Sequence, residues 1–271
     1  MRQQSTRLLA SVAMTAILAA GLGGCQTMSD ITGSISPKSS ASAETDSRQA
    51  VDVTGERYRA DPKNAEAALA YGQALRASGQ RSQAAAVLEQ ATIAHPGDKA
   101  LLAGYGRALA DNGNFQQAFD VLNRAHSPDN PDWRLLSVQG TTLDQLGRHD
   151  EARRYYESAL KIVPGEPSVL SNLGLSYVLS KNLPKAEEAL RQAYASPKAD
   201  ARVRQNLGLV IGLQGRFAEA EQIVKADLPP DEAAANVAYL KAMLKGNDKD
   251  NSRPSSRGNN SIPMAELNRP D

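Results

Sequence analysis

The chain has little of what catalytic and metal-binding proteins use. Its 271 residues include one cysteine and three histidines. His95, His126 and His149 have no partner at the spacing of metal ligands, and one cysteine cannot form a disulfide within the chain. No GxSxG, P-loop or HExxH motif is present. The sequence therefore predicts no enzyme, no cofactor, no metal site and no small-molecule substrate. The alternative that stays open is an enzyme whose active site matches none of these motifs.

An excess of one charge and a strand-like pattern are also missing. The formal net charge is +1, and no basic stripe is interleaved with aromatic residues, so nucleic acid is not a predicted partner. No stretch sustains the alternation of apolar and polar residues that marks a half-buried strand. An apolar run at residues 8–22 falls short of the about 20 residues that span a bilayer as a helix. We therefore predict an all-α protein.

The chain does have a regular glycine spacing. Gly72, Gly106, Gly140, Gly174 and Gly208 follow one another at one constant interval. Alanines keep the same register at Ala84, Ala118, Ala152, Ala186 and Ala220. A period of this length, about 34 residues, is typical of helix–turn–helix solenoid repeats, which bind other proteins far more often than they catalyse reactions.

The glycines have a physical reason. Glycine inside a helix costs about 1 kcal/mol relative to alanine, so its repeated use indicates a gain from the missing side chain. We predict that the gain is close approach of the two helix backbones of a unit. Glycine also recurs in the turn between these helices, at Gly79, Gly113, Gly147 and Gly215. The fourth unit has Lys181 at this position.

The order of glycine, tyrosine or leucine, turn glycine, alanine and closing proline resembles the tetratricopeptide repeat. The units cover about 65–98, 99–132, 133–166, 167–200 and 201–234. The resemblance implies a right-handed α-solenoid of about five repeats in a domain over 48–245, with a further helix over 48–60. Pro229 and Pro230 are expected to end the last second helix early. Residues 231–244, with Val237, Leu240 and Leu244 on one side, are predicted to form a capping helix.

The N-terminus carries a targeting pattern. Arg2 and Arg7 precede the apolar run, which ends in Leu-Gly-Gly-Cys at Cys25. This motif resembles the bacterial lipobox, which implies a signal peptide over 1–24 and a covalent diacylglyceryl and N-acyl lipid on Cys25. The alternative interpretation is an incidental or buried thiol. Gln26 follows where an aspartate often signals inner-membrane retention, so we expect a lipid anchor at the periplasmic face of the outer membrane.

Two polar segments flank the repeats. Residues 25–47 are rich in serine and are predicted to be a flexible tether. Residues 246–271 are polar and contain three prolines, so this tail is predicted to be disordered.

A partner groove is implied by the family resemblance, because first helices line the concave face of a tetratricopeptide solenoid. Polar residues face it in the early units, at Glu66, Gln73, Arg76, Arg107, Asp111, Arg134, Thr141 and Asp144. Apolar residues face it in the late units, at Leu175, Val178, Leu179, Leu209 and Leu213. Asn172 and Asn206 hold the repeat position that often binds the backbone of a bound segment. The alternative is that the leucines only pack against the next unit or the capping helix.

The C-terminal stretch carries a narrower resemblance. Residues 206–244, NLGLVIGLQGRFAEAEQIVKADLPPDEAAANVAYLKAML, closely resemble the end of TadD-type lipoproteins of the Tad, or Flp, pilus assembly system. This implies an outer-membrane scaffold that helps the pilus secretin to localise or assemble, with the secretin and other Tad components as protein partners. The alternatives are an adaptor for another type IV pilus or type II secretion machine, and a scaffold for barrel assembly or peptidoglycan hydrolases.

Overall fold

A computed structural model describes the backbone of residues 37–251 and the side chains of residues 45–245. The predicted signal peptide, Cys25, tether residues 25–36 and tail residues 252–271 lie outside the described residues. Twelve α-helices and no strand are found in the described part of the chain. They are α1 (Pro37–Ala60), α2 (Ala65–Ala77), α3 (Arg81–Ala94), α4 (Lys99–Asp111), α5 (Phe115–Ala125), α6 (Trp133–Gln145), α7 (His149–Ile162), α8 (Pro167–Leu179), α9 (Leu183–Tyr194), α10 (Ala201–Leu213), α11 (Phe217–Val224) and α12 (Pro230–Asn251). The predicted all-α class and solenoid architecture are confirmed.

Local signals in the sequence place the helix boundaries. The first helices α2, α4, α6 and α10 begin after an asparagine or aspartate whose side chain accepts hydrogen bonds from backbone N–H groups of the first turn, as Asp98 does from Ala100 and Leu101. Helix α8 instead begins at Pro167, whose missing N–H is no loss in a first turn. The turn glycines take a positive φ, from 75° at Gly147 to 83° at Gly113. These signals set five helix pairs at the repeat spacing.

The repeated helix glycines make room for a side chain rather than only for a backbone. A Cβ built on Gly72, Gly106, Gly140, Gly174 or Gly208 would lie 2.5–2.6 Å from a side-chain atom of the second helix in the same repeat. The facing side chains are Leu88, Leu122, Tyr156, Leu190 and Val224. The backbone is also near in some repeats, since the Ala186 carbonyl oxygen would lie 3.2 Å from a Cβ on Gly174. The sequence prediction of backbone approach is thus corrected: the glycine mainly seats a large apolar residue.

Helix α1 extends the solenoid at its N-terminal end. Ala50, Thr54 and Arg57 stand one repeat period before Ala84, Leu88 and Ala91, so α1 has the register of a second helix. Its Gly55 lies under the ring of Tyr71, and the rings of Tyr58 and Tyr71 stack at 5.5 Å. Where Leu88 and Ala91 are buried against their first helix, α1 carries a threonine and an exposed arginine. This polar face suits the end of an array.

The structure differs from the sequence predictions at both flanks. Residues 37–47 belong to α1, where a flexible tether is predicted, and α12 continues to Asn251, into the predicted disordered tail. The reason in α1 is that residues 37–54 contain no glycine, so a helix anchored by Val51 and Tyr58 extends outward one hydrogen bond per residue. At the other end, α11 stops at Val224 as expected, and Ala233, Val237 and Leu240 of α12 pack against α10 and α11. The last helix therefore caps the core as predicted.

An ion-pair network joins the outer helices of the last two repeats. The carboxylate of Glu187 on α9 accepts hydrogen bonds from Arg191, Arg216 and Gln214 at 2.8–2.9 Å, and Arg191 also reaches Glu219 on α11 at 2.7 Å. Burial raises the pKa of Glu187, but the hydrogen bonds from Arg216, Gln214 and Arg191 outweigh it and hold that pKa below its ordinary value. These contacts fix α9 against α11 on the side of the array away from the first helices.

Among the turns inside the five described helix pairs, the one that has lysine in place of glycine carries a conformational cost. Lys181 has φ 60°, and it occupies the position of Gly147, which has φ 75°. Because a side chain crowds the backbone in this region and glycine does not, we expect Lys181→Gly to raise the free energy of unfolding by about 1 kcal/mol. Urea denaturation of the full chain measures the change. The matched reverse substitution, Gly147→Lys, should lower stability by a similar amount; no change in either variant would contradict the expectation.

Candidate partner-binding groove

The inner face of the array is formed by the first helices. Each of α2, α4, α6 and α8 contacts the next first helix, and α10 contacts α12. In the described part of the chain the backbones of consecutive second helices make no comparable approach, and α9 and α11 meet through the side chains of Arg191 and Glu219. Helices that approach each other on one side and diverge on the other make that first side concave. We call the surface of α2, α4, α6, α8 and α10 on this side the groove.

The late half of the groove is apolar and partly open. Leu179 is 43% exposed, and Leu175, Leu209 and Leu213 are half-buried. Val178 differs, because it packs against the core cluster that contains Leu207 and Ile211 of the next repeat. Packing between repeats, the alternative interpretation of these residues, thus applies to Val178, whereas the four leucines keep apolar surface available to a partner.

The two asparagines tie neighbouring first helices together. The side-chain amide of Asn172 donates to the Ser137 hydroxyl at 3.1 Å, and that of Asn206 donates to the Ser171 hydroxyl at 2.9 Å. One contact is thus repeated at successive repeat interfaces. Asn206 is only 7% exposed, which gives it a structural role in place of the expected contact with a bound segment. Asn172 is half-buried and holds the same kind of bond.

The early half of the groove is charged. Arg76 Nε on α2 lies 2.6 Å from Asp111 Oδ2 on α4, and Arg107 Nη2 on α4 lies 3.9 Å from Asp132 Oδ2 at the start of α6. The guanidinium of Arg134 stacks over the Trp133 ring at 4.3 Å. The groove therefore changes from charged to apolar along the array, as the sequence predicts.

Asp144 is not a groove residue, contrary to the sequence prediction. It is 8% exposed, and its carboxylate accepts hydrogen bonds from Tyr156 at 2.9 Å and from Ser176 at 2.8 Å. His149 Nδ1 lies 2.9 Å from the same carboxylate. Tyr156 and His149 belong to the same repeat as Asp144 and Ser176 to the next, so this cluster binds two repeats together. Sequence reasoning missed it because the three donors stand at different spacings from Asp144.

Other kinds of site are sparse in the described residues. No group of three or more histidine, cysteine, aspartate or glutamate residues between 45 and 245 is placed to hold a metal ion. None of the helices within 37–251 combines the length and the apolarity needed to cross a membrane. The groove is thus the main candidate surface of this part of the chain.

Comparison with known proteins identifies the repeat. Two family models match the chain, both described as tetratricopeptide repeat, at residues 69–132 and 134–199. The chain carries tetratricopeptide repeats (TPRs). TPR arrays are typically non-catalytic, and the repeats of this chain imply a scaffold for protein–protein interaction. No curated protein matches the sequence.

Solved TPR structures share the fold. A chain of the APC/C hetero-tetramer Cut9–Hcn1 matches with a TM-score of 0.61 at 19% identity over 78% of this chain and 42% of that one. TTC0263, a thermophilic TPR protein of Thermus thermophilus, matches with a TM-score of 0.56 at 22% identity, over 68% of this chain and 98% of that one. Pseudomonas aeruginosa PilF matches with a TM-score of 0.53 at 17% identity, over 67% of this chain and 92% of that one. The chain spans less than half of the Cut9–Hcn1 chain, and at these identities the likeness concerns the fold alone.

Proposed function

We propose that this TPR protein is a lipid-anchored scaffold at the periplasmic face of the outer membrane that serves Tad/Flp pilus assembly. In this proposal it helps the pilus secretin to localise or assemble. The lipobox-like Leu-Gly-Gly-Cys ending at Cys25 supports the anchor, and residues 206–244 support the Tad assignment through their resemblance to TadD-type lipoproteins. Two acyl chains or more hold a protein on a membrane stably, whereas one does so marginally.

The substitution Cys25→Ser tests both the proposed membrane location and the proposed partner. We expect the native protein to fractionate with the outer membrane and to crosslink to a secretin, and the variant to be soluble with the secretin mislocalised, because the thiol is the only one that can carry the lipid. Membrane fractionation and crosslinking with mass spectrometry are the measurements. Native protein that is anchored but captures barrel-assembly or cell-wall proteins would overturn the Tad assignment. A variant that fractionates like the native protein would overturn the anchor.

The late half of the groove is proposed to hold an extended or helical apolar segment of the partner. Its four partly exposed leucines offer anchor sites on adjacent helices α8 and α10, and apolar anchors dominate the binding energy of such surfaces. We therefore expect Leu209→Arg to weaken partner binding about tenfold or more, since one fully lost apolar anchor is worth about 1.5–3 kcal/mol.

The control for Leu209→Arg lies outside the groove. Ile93 on the second helix α3 is 68% exposed, so Ile93→Arg adds the same charge and removes a similar side chain on the other side of the array. Circular dichroism must show both variants folded before binding is compared. Full partner binding by a folded Leu209→Arg variant would show that the partner uses another surface.

A further inference from the structure

Arg107 is a half-buried cation without a close partner. Its side chain is 24% exposed, and no hydrogen bond from its guanidinium is found among the described residues. Among the described residues, Asp132 is the sole acidic residue within ion-pair range, with its Oδ2 atom 3.9 Å from Arg107 Nη2. Burial lowers the pKa of the Arg107 guanidinium. The carboxylates of Asp132 and Asp111 oppose this shift, while the charges of Arg76 and Arg134 add to it. The guanidinium has therefore lost part of its hydration without gaining a matched acceptor.

Both acidic residues near Arg107 also hold another group, although Asp132 Oδ2 still faces the guanidinium at 3.9 Å. Asp132 is the N-cap of α6, and its Oδ1 accepts the backbone N–H of Arg134 at 2.9 Å. Asp111 holds Arg76 at 2.6 Å. A guanidinium offers two parallel N–H donors to one carboxylate, which is the geometry left unused at Arg107. A carboxylate arriving from the groove would meet these donors and the nearby positive charge of Arg134.

We infer that Arg107 binds an acidic side chain of the same partner segment whose apolar residues lie on the late leucines. The inference rests on the proposed groove function and specifies the ligand: a linear segment with an aspartate or glutamate at one end and an apolar cluster at the other. The positive charge of Arg107 on α4 favours the acidic residue of the segment, and the leucines of α8 and α10 favour its apolar residues.

The array fixes the spacing between the two parts. Packed helices lie about 8–10 Å apart, so the two or three steps from α4 to α8 or α10 cover about 16–30 Å. An extended chain advances about 3.3 Å per residue. The acidic residue should therefore stand about five to nine residues from the apolar cluster.

Selection from a random peptide library tests the inference without knowledge of the natural partner. Peptides of about twelve residues, long enough for the span of about 16–30 Å, are fused at both ends to a carrier so that no free carboxyl terminus is presented. They are selected on the full chain and on its Arg107→Gln, Arg81→Gln and Leu209→Arg variants. Arg81 lies on α3, is exposed and has no ion pair within the described residues, so it is the matched control.

The expected result is enrichment of peptides with an acidic residue about five to nine positions from a pair of apolar residues. Individual peptides should bind Arg107→Gln about tenfold or more weakly than the native chain, because a charge-assisted hydrogen bond is lost. Replacing the peptide acid by its amide should remove the difference between native chain and variant, and Arg81→Gln should bind like the native chain. Circular dichroism confirms that the variants are folded.

Two other outcomes separate this inference from the function on which it rests. Enriched peptides that are apolar, depend on Leu209 and show no acidic preference would overturn the role of Arg107 and leave the apolar groove standing. Absence of any peptide enrichment that depends on Leu209 would overturn both.

Discussion

Gly140→Ala is expected to lower the free energy of unfolding by about 2–3 kcal/mol. A Cβ at this position would lie 2.5 Å from Cε1 and 2.8 Å from Cζ of Tyr156, well inside van der Waals contact. The ring cannot move aside cheaply, because Tyr156 is fully buried and its hydroxyl is held by Asp144 at 2.9 Å. The gain of about 1 kcal/mol from replacing a helical glycine is smaller than this cost. Urea denaturation followed by circular dichroism measures the difference.

The control for this substitution is Gly97→Ala. A Cβ on Gly97 meets no atom within 4 Å, and the residue lies outside the helices, so its stability should change by less than about 0.5 kcal/mol. Equal stability of Gly140→Ala and Gly97→Ala would contradict the explanation that the helix glycine is needed to make room for Tyr156.

Asp144→Ala is expected to destabilise the chain by about 3 kcal/mol. The carboxylate is buried and accepts hydrogen bonds from Tyr156 and Ser176, with His149 at 2.9 Å. Removing it leaves two buried hydroxyl groups without their acceptor, and each buried unsatisfied group costs about 1–3 kcal/mol. Burial, with the neighbouring Asp144 charge, raises the pKa of Tyr156, so the phenol keeps the proton that it donates.

Asp111→Ala is the matched control for Asp144→Ala. Asp111 also lies in a first helix, but its pair with Arg76 is partly exposed, and such surface pairs contribute about 0–1 kcal/mol. A double-mutant cycle with Tyr156→Phe should give a coupling of about 1 kcal/mol or more between Asp144 and Tyr156. Equal losses in Asp144→Ala and Asp111→Ala, with no coupling, would contradict a structural role for the buried carboxylate.

Asp144 also shows where a repeat register stops being informative. The register places Asp144 beside Arg76 and Asp111 as residues near the ends of first helices, and all three are predicted to face the groove. Arg76 and Asp111 do so and pair with each other across α2 and α4. Asp144 turns inward because repeat three has Tyr156 where repeats one and two have leucine, and a buried phenol needs an acceptor.

The helix pairs, their period, the turns and the two ends of the groove can be predicted from the sequence alone. These features depend on local chemistry that recurs once in every repeat: glycine beneath a large side chain, glycine in the turn, and a polar cap before each first helix but α8. The N-terminal lipobox pattern and the Tad resemblance also come from the sequence. Both stay predictions, because Cys25 lies outside the described residues and the Tad assignment depends on a family resemblance.

Which of the polar residues predicted to face the groove are free to meet a partner depends on the folded structure. Asn206 and Asp144 are engaged by serines of adjacent repeats, whereas Arg107 is left half-buried with its nearest acid at 3.9 Å. The helical extent of α12 likewise depends on packing, because its residues Ala233, Val237 and Leu240 lie against α10 and α11. Periodicity fixes the face on which a side chain lies, but burial and hydrogen bonding depend on residues brought close by the fold, and a one-dimensional pattern does not contain those distances.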